Sequence, residues 1–247
     1  MNHIILVCYQ NLEMTKQALK SAMAQDAPDL CIMVYSNGST DGTGEWLQSR
    51  EWEDGKTEVE YVNHPVNYRP THLINALLEN TFLMDRPHHV LCMPNDVVLP
   101  PNLYSEMLRW PRGMVTASET KENPPPYMAA SNAVSECTPM ALLLIRKWCY
   151  DAVMAHSGYF MDEKFVHYAS DCDLALRMAS CGIRGLQLDT QFYHYGSATW
   201  KLAPEADKQR MLREADQDRE YFKQKWGFAC DAYEYGAAAR DVNFRGK

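Results

Sequence analysis

The chain has 247 residues, 46% of them hydrophobic, which is enough for one α/β domain with a full core or for two small domains; we expect one domain followed by a tail. Its formal net charge of −8 excludes a broad cationic surface and so argues against sequence-independent binding to nucleic acid or anionic lipid. The eight cysteines form no CxxC pair and no apolar run approaches the roughly 20 residues of a membrane span, so we expect a cytoplasmic protein without an integral membrane segment.

Short apolar runs alternate with amphipathic segments over the first hundred residues. We predict strands at 3–9, 30–35, 59–62 and 89–93, and helices at 13–24, 43–49, 71–83 and from about residue 103. This alternation favours a doubly wound, mostly parallel sheet with helices on both faces, whose ligands bind beyond the carboxyl ends of the strands. Asn37-Gly38 would make a tight turn at such a strand end, and Ser39, Thr40 or Asp41 would cap the next helix.

The second half of the chain has a less regular pattern. Residues 113–139 include the run ENPPPY and predict an irregular segment over the sheet, with few helical signals before 140–145. Further along, the pattern predicts a helix at 171–179, a strand at 185–188, a long charged helix at 204–226 and a tail of unclear order at 228–247.

Four stretches, in order along the chain, resemble the family 2 glycosyltransferases, which have the GT-A fold. The stretches ILVCYQN and VYSNGSTDGT resemble the family's opening strand and nucleotide loop, and VLCMPNDVVLPPNL resembles its DxD-type segment. Residues 158–188 are similar to the acceptor-side segment, and FYHYGSAT and YFKQKWG resemble the H-x-G-S loop and the closing helix. The resemblance implies one GT-A domain at 1–227, with a nucleotide-sugar-binding half (1–112), an acceptor-side half (113–203) and a closing helix (204–227).

The resemblance also implies an enzyme that moves a sugar from a nucleoside-diphosphate sugar to an acceptor hydroxyl with inversion. Asp96 and His194 are expected to bind Mn²⁺ or Mg²⁺, since a hard divalent cation stabilises the departing diphosphate. Asp171 is expected to be the general base that removes the acceptor proton. The residues expected to contact the donor nucleotide are Cys8, Tyr9, Gln10, Ser36, Asn37, Asn67 and Asn95.

Neighbouring acidic residues are assigned structural roles. Asp173 lies two residues after Asp171 and so on a different face of the helix; we expect it to stabilise the helix N-terminus or to fix a neighbouring loop. Asp162 and Glu163 are expected to orient the loop that precedes the base.

Three residues depart from the family pattern. Ser36 stands where family members commonly carry Asp, Pro94 aligns with the first acidic residue of the DxD-type segment, and Ser170 replaces the Glu before the base. These departures favour an alternative, a catalytically degenerate module that binds a sugar nucleotide or a glycan. The sequence also leaves the acceptor open among a glycan, a protein, a small molecule and a modified nucleic acid base.

Overall fold

The computed structural model describes residues 2–84, 87–128, 130–135, 141–196 and 205–240. The strands are β1 (Asn2–Cys8), β2 (Leu30–Asn37), β3 (Glu58–His64), β4 (His89–Pro94), β5 (Val97–Val98), β6 (Met114–Thr120), β7 (Ala133–Ser135), β8 (Leu143–Arg146) and β9 (Gly185–His194). The helices are α1 (Leu12–Met23), α2 (Thr43–Ser49), α3 (Pro70–Met84), α4 (Leu103–Leu108), α5 (Lys147–Ser157), α6 (Ser170–Ser180), α7 (Glu205–Trp226) and α8 (Tyr233–Arg240).

The strands form one mixed sheet in the order β3-β2-β1-β4-β8-β6-β9-β5, with β7 paired to β9. The pairs β1–β2, β2–β3, β1–β4 and β6–β9 are parallel, whereas β8 runs antiparallel between β4 and β6. The predicted α/β architecture with a mostly parallel sheet is therefore confirmed.

Apolar side chains of the central strands divide between two cores, one on each face of the sheet. Ile4 and Leu6 of β1 belong to the core that includes Leu19 of α1, whereas Ile5 belongs to the core that includes Leu73 of α3. Successive strand residues point to opposite faces, so a run of consecutive apolar residues indicates a strand covered on both sides. The helices on both faces that the sequence predicts are present.

The prediction of an irregular segment over residues 113–139 is wrong in its first part, because β6 lies inside the sheet between β8 and β9. The sequence of β6, MVTASET, carries small and polar residues that its neighbours bury: Thr116 is 1% exposed and Ala117 is 1% exposed. Strand formation depends on such context more than on intrinsic preference. The prediction also missed β8 and α5, and it ended β9 six residues early, at 188 instead of 194.

The end of the chain contributes a third cluster of buried residues. Its members come from the loop before α6, from α6, α7 and α8, and from between the last two helices: Phe165, Ala169, Leu176, Phe222, Trp226, Cys230 and Ala239. The segment predicted as a tail of unclear order therefore includes a helix that packs against α6. Within the described residues, no helix combines the length and hydropathy that a bilayer crossing requires.

Candidate active site

A cavity of about 1350 Å³ lies beyond the carboxyl ends of β1, β2 and β4. Tyr9 and Gln10 line it directly after β1, Asn37 lines it at the end of β2, and Asn95 and Asp96 line it directly after β4. Parallel strands present their carboxyl ends at one edge of a sheet, and this edge is where ligands of open α/β sheets bind. The cavity thus occupies the place that the strand pattern predicts for a ligand.

The residues predicted to contact the nucleotide fall into two groups. Five line the cavity, namely Tyr9, Gln10, Asn37, Asn67 and Asn95. Cys8 and Ser36 are 0% exposed and lie opposite each other in the β1–β2 ladder. The Cys8 thiol donates to the carbonyl of Tyr35 at 3.4 Å, and burial raises the pKa of this thiol to about 12. Neither side chain reaches the cavity, so the predicted nucleotide contact of these two residues has no support in the structure.

Asn37 and Asn95 shape the cavity by holding the backbone around it. The Asn37 side chain donates to the carbonyl of Tyr68 and accepts the Tyr68 N–H, both at 2.9 Å. The Asn95 amide donates to the carbonyl of Gln10 at 2.7 Å and to the hydroxyl of Thr15 at 2.9 Å. Asn37 therefore holds the loop after β3, and Asn95 holds the loop after β1 and the start of α1.

Close backbone contacts in the turn that follows β2 explain why a residue without a side chain is needed there. Gly38 has a φ of +75°, and a Cβ at this position would lie 2.5 Å from the backbone nitrogen of Asn67, so this position requires glycine. Asp41 joins two helix starts, because it accepts the N–H of Leu12 at 2.8 Å and the hydroxyl of Thr43 at 2.7 Å. The turn thus brings the loops after β1, β2 and β3 together at the rim of the cavity.

Asp96 and His194 come together through the antiparallel pairing of β5 with β9. Val97 pairs with His194 in that ladder, and the Tyr195 N–H donates to the carbonyl of Asp96 at 3.0 Å. The His194 Nε2 atom consequently lies 3.3 Å from Asp96 Oδ2, and both side chains line the cavity. The structure therefore unites the two residues that the sequence predicted as metal ligands.

Glu119 is a third member of this cluster that the sequence did not predict. Its Oε1 atom lies 3.0 Å from the Nδ1 atom of His194, so the imidazole has a carboxylate beside each ring nitrogen. The hydrogen bond to Asp96 raises the pKa of His194 above its usual value, and Glu119 adds to this effect. Glu119 lies on β6, within the segment predicted as irregular, so no sequence signal placed it near His194.

Asp171 also lines the cavity, from the first turn of α6. The residue before the helix, Ala169, has a φ of 58°, which turns the chain sharply into α6. The Asp171 Oδ1 atom accepts the N–H of Cys172 at 2.8 Å, and the side chain is partly exposed. One cavity is therefore lined by the predicted base and by both predicted metal ligands.

Asp173, in contrast, is fully buried and faces away from the cavity. Its carboxylate accepts from Arg177 Nε at 2.7 Å and from the Trp226 indole at 2.9 Å, and it lies 2.7 Å from Lys225 Nζ. Burial by itself would lower the pKa of Lys225, but the charges of Asp173 and Asp162 outweigh this effect and raise the pKa. Asp173 thus joins α6 to the end of α7, a structural role that differs in kind from the helix N-terminal or loop contact expected for it.

We expect Asp173→Asn to lower the free energy of unfolding by roughly 3 kcal/mol or more, because removing one charge of a buried ion pair leaves its partners uncompensated. A charge at an exposed helix N-terminus would contribute only about 0.3 to 1 kcal/mol. Urea unfolding measures the difference. The matched control is Asp151→Asn, whose side chain is 53% exposed beside Lys147 and should cost less than about 1 kcal/mol. Equal losses in the two variants would contradict the prediction.

Asp162 and Glu163 hold the loop that precedes α6 and Asp171. Asp162 accepts from Lys225 Nζ at 2.7 Å and from the Tyr221 hydroxyl at 2.9 Å. Glu163 accepts from the Asn75 amide at 2.9 Å and lies 2.9 Å from His72 Nδ1. The two residues therefore attach this loop to α7 on one side and to α3 on the other.

The charged residues of the cavity are mostly acidic. Its described lining includes six carboxylates, Asp41, Asp96, Glu119, Asp171, Asp207 and Glu214, and two arginines, Arg69 and Arg210. An anionic ligand in such a cavity meets repulsion unless a cation accompanies it.

The first part of the chain matches a known family, and the whole fold matches solved structures. Residues 3–111 match the model of "Glycosyl transferase family 2". No curated protein matches the chain in sequence.

Similar solved structures include residues 1–349 of TarS from S. aureus, with 15% identity, a TM-score of 0.57 and coverage of 92% of this chain and 74% of that one. Mannosyltransferase PcManGT from Pyrobaculum calidifontis, in complex with GDP-Man and Mn²⁺, has 15% identity, a TM-score of 0.58 and coverage of 96% and 73%. GalNAc-T7, with UDP, GalNAc and Mn²⁺, has 10% identity, a TM-score of 0.59 and coverage of 99% and 54%. These similarities show the GT-A fold, and residues 3–111 are similar to glycosyl transferase family 2.

Proposed function

We propose that this protein is a glycosyltransferase that moves a sugar from a nucleoside-diphosphate sugar to an acceptor hydroxyl with inversion at the anomeric carbon. In this proposal Asp171 is the general base, and Asp96 and His194 hold a divalent cation. The observation that supports it best is that one cavity is lined by all three residues and by five of the residues predicted to contact the nucleotide. TarS structures with UDP and with UDP-GlcNAc, and PcManGT with GDP-Man, show that proteins of this fold bind such donors.

The Asp96–His194 pair has the spacing that an octahedral cation needs. Adjacent ligands of Mg²⁺, each about 2.1 Å from the ion, stand about 3 Å apart, and the nitrogen and oxygen of this pair are 3.3 Å apart. Among the residues that the structure describes, no group of three or more His, Cys, Asp or Glu side chains could hold a metal ion. Phosphate oxygens and water would therefore complete the coordination, as is usual for Mg²⁺ at phosphate-binding sites.

The charge of the cavity gives a separate reason for a cation. A nucleoside-diphosphate donor is an anion, and it would lie among carboxylates that outnumber the lining arginines six to two. The bound metal supplies compensating charge to the diphosphate leaving group. Pro94 also lines the cavity and offers no side-chain ligand, so the protein's contribution to the metal site rests on Asp96 and His194.

Asp171 would act on the acceptor. A general base must approach the attacking hydroxyl to within hydrogen-bonding distance, on the face of the sugar opposite the leaving group. The start of α6 holds the carboxylate at the wall of the cavity, and the Cys172 N–H fixes the position of one of its oxygens at 2.8 Å. Asp171 would therefore take the hydroxyl proton while Asp96 and His194 remain with the diphosphate.

The alternative, a binding module without turnover, is favoured by the burial of Ser36, whose hydroxyl has no hydrogen-bond partner among the described residues. A thermal-shift screen of nucleotide sugars would first identify the donor, since a ligand of the folded state raises its apparent stability. Hydrolysis of that donor with and without Mn²⁺ then separates the two functions. We expect Mn²⁺-stimulated hydrolysis; tight binding without hydrolysis under either condition would support the binding module.

Glu119 is expected to support the metal site through His194. Carboxylates beside the non-ligating nitrogen of a histidine fix its tautomer and orientation, and removing one typically costs 10- to 100-fold in metal affinity. We therefore expect Glu119→Gln to weaken Mn²⁺ binding by about 10-fold, measured from the free Mn²⁺ signal in electron paramagnetic resonance. Glu122→Gln, an exposed glutamate beyond the end of β6, is the matched control. Affinities of the two variants within twofold of each other would contradict this role for Glu119.

A further inference from the structure

Asp218 of α7 binds a loop that leads to Asp171. Three consecutive backbone N–H groups of this loop donate to its carboxylate: Val166 at 2.9 and 3.1 Å, His167 at 2.7 Å and Tyr168 at 2.8 Å. The Asp218 side chain is buried, with the residue only 2% exposed. The three loop residues also line the cavity, so this buried carboxylate holds part of the cavity wall.

Other contacts hold the same loop against α7. The Nε2 atom of His167 lies 2.8 Å from Glu214 Oε2, and the guanidinium of Arg219 lies 4.3 Å from the centre of the Tyr168 ring. These side-chain contacts are partly exposed, whereas the Asp218 contacts are buried. Hydrogen bonds to an ionised acceptor in a buried position are stronger than neutral ones, so Asp218 dominates this attachment.

The loop then passes directly into the helix that carries Asp171. Ala169 is 3% exposed and has a φ of 58°, a left-handed conformation that a residue with a Cβ adopts only when its surroundings enforce it. Its carbonyl accepts the Asp173 N–H at 2.9 Å, which closes the first turn of α6. The direction in which α6 starts therefore depends on where residues 166–168 are held.

We propose that Asp218 is a positioning residue, which holds residues 166–168 so that Asp171 faces the reacting centre. The proposal rests on the proposed role of Asp171 as general base. Asp218 itself does not line the cavity, and it takes no proton. Asn at this position would keep one acceptor oxygen but lose the negative charge and the second acceptor, so the hydrogen bonds from the three N–H groups would weaken and the loop and the start of α6 would sample other positions.

The experiment compares Asp218→Asn with Glu220→Gln, an exposed substitution two residues further along α7. Three quantities are measured: amide hydrogen exchange in peptides that cover 165–169, the rate of donor hydrolysis in the presence of Mn²⁺, and the dissociation constants of UDP and GDP with Mn²⁺. In Asp218→Asn we expect exchange at these amides to rise by at least about 10-fold and hydrolysis to fall by at least about 10-fold. Nucleotide affinity should stay within twofold, because the loop lies on the acceptor side.

Unchanged exchange at 165–169 would overturn the proposal, and so would faster exchange with normal hydrolysis. If Asp218→Asn fails to fold, amide exchange in the wild-type protein tests the proposal instead. The amides of residues 166–168 should then be protected from exchange although they lie outside helices and strands. Exchange as fast as that of residues 53–57 would overturn the proposal. The companion variant Asp171→Asn keeps the two proposals apart. Full hydrolysis in Asp171→Asn overturns the base assignment and the positioning role with it, whereas full hydrolysis in Asp218→Asn alone overturns only the latter.

Discussion

Replacing Asp171 by Asn should lower the rate of sugar transfer by about 100-fold or more, the usual contribution of a general base. Asn keeps the shape of the side chain and can still accept the N–H of Cys172, but it has no basic oxygen to take the acceptor proton. Donor affinity should barely change, because the proposed role of Asp171 is to contact the acceptor hydroxyl, whereas Asp96 and His194 are proposed to hold the metal at the diphosphate. Transfer or donor hydrolysis measures the rate, and a titration with the same donor measures binding.

The neighbouring variant Asp173→Asn is the control for this experiment. Asp173 is 0% exposed and its carboxylate contacts α7, so Asp173→Asn should mainly lower the stability of the protein. The rate of this variant is therefore measured at a temperature at which circular dichroism shows it to be folded. An inactive but stable Asp173→Asn variant beside a normal Asp171→Asn variant would reverse the assignment of the base. Full activity in both variants would show that neither residue is the base.

Asp96→Ala should abolish the stimulation of donor turnover by Mn²⁺, a loss of roughly 100-fold or more if the metal supplies several kcal/mol of charge stabilisation to the leaving group. The Asp96 carboxylate lies 3.3 Å from His194 Nε2. Its removal leaves His194 as the one protein ligand of the proposed metal site. His194→Ala should act in the same direction. Mn²⁺ affinity, measured by electron paramagnetic resonance, should fall together with turnover.

The matched control for the metal prediction is His156→Ala, which removes an exposed histidine from α5 and should leave both quantities unchanged. The backbone of Asp96 pairs with Tyr195 through its carbonyl, a contact that Ala preserves, so the local fold should survive the substitution. Treatment with EDTA should reproduce the loss in the wild-type protein. Undiminished turnover with EDTA present would rule out a role for the metal.

Much of the donor side of the molecule follows from local sequence patterns. Runs such as IILV in β1 alternate with amphipathic helices over the first hundred residues, and the strands and helices predicted there are present. The edge where ligands bind follows from the same alternation, because parallel strands end together. Residues at or just after a strand end, such as Gln10, Asn37 and Asp96, could therefore be placed at the cavity from the sequence.

Other features of the site depend on pairings between distant parts of the chain. Thr116 and Ala117 of β6 have no strong strand signal, and only their burial between β8 and β9 makes them part of the sheet and brings Glu119 to His194. Sequence position put Ser36 at the strand end, but whether its side chain faces the cavity or the core is a matter of packing, and the structure buries it.

The sequence by itself determined the α/β class and the ligand-binding edge of the sheet, since these follow from local periodicity. The candidate residues Asp96, Asp171 and His194 came from the resemblance of short motifs to the family 2 glycosyltransferases. Only the tertiary structure decided which of the acidic residues face the cavity and which hold the fold together. Asp218 and Val166 are 52 residues apart in sequence, and Trp226 and Asp173 are 53 apart. Such contacts form because a buried carboxylate requires hydrogen-bond donors, and which donors surround it depends on how α6 and α7 pack.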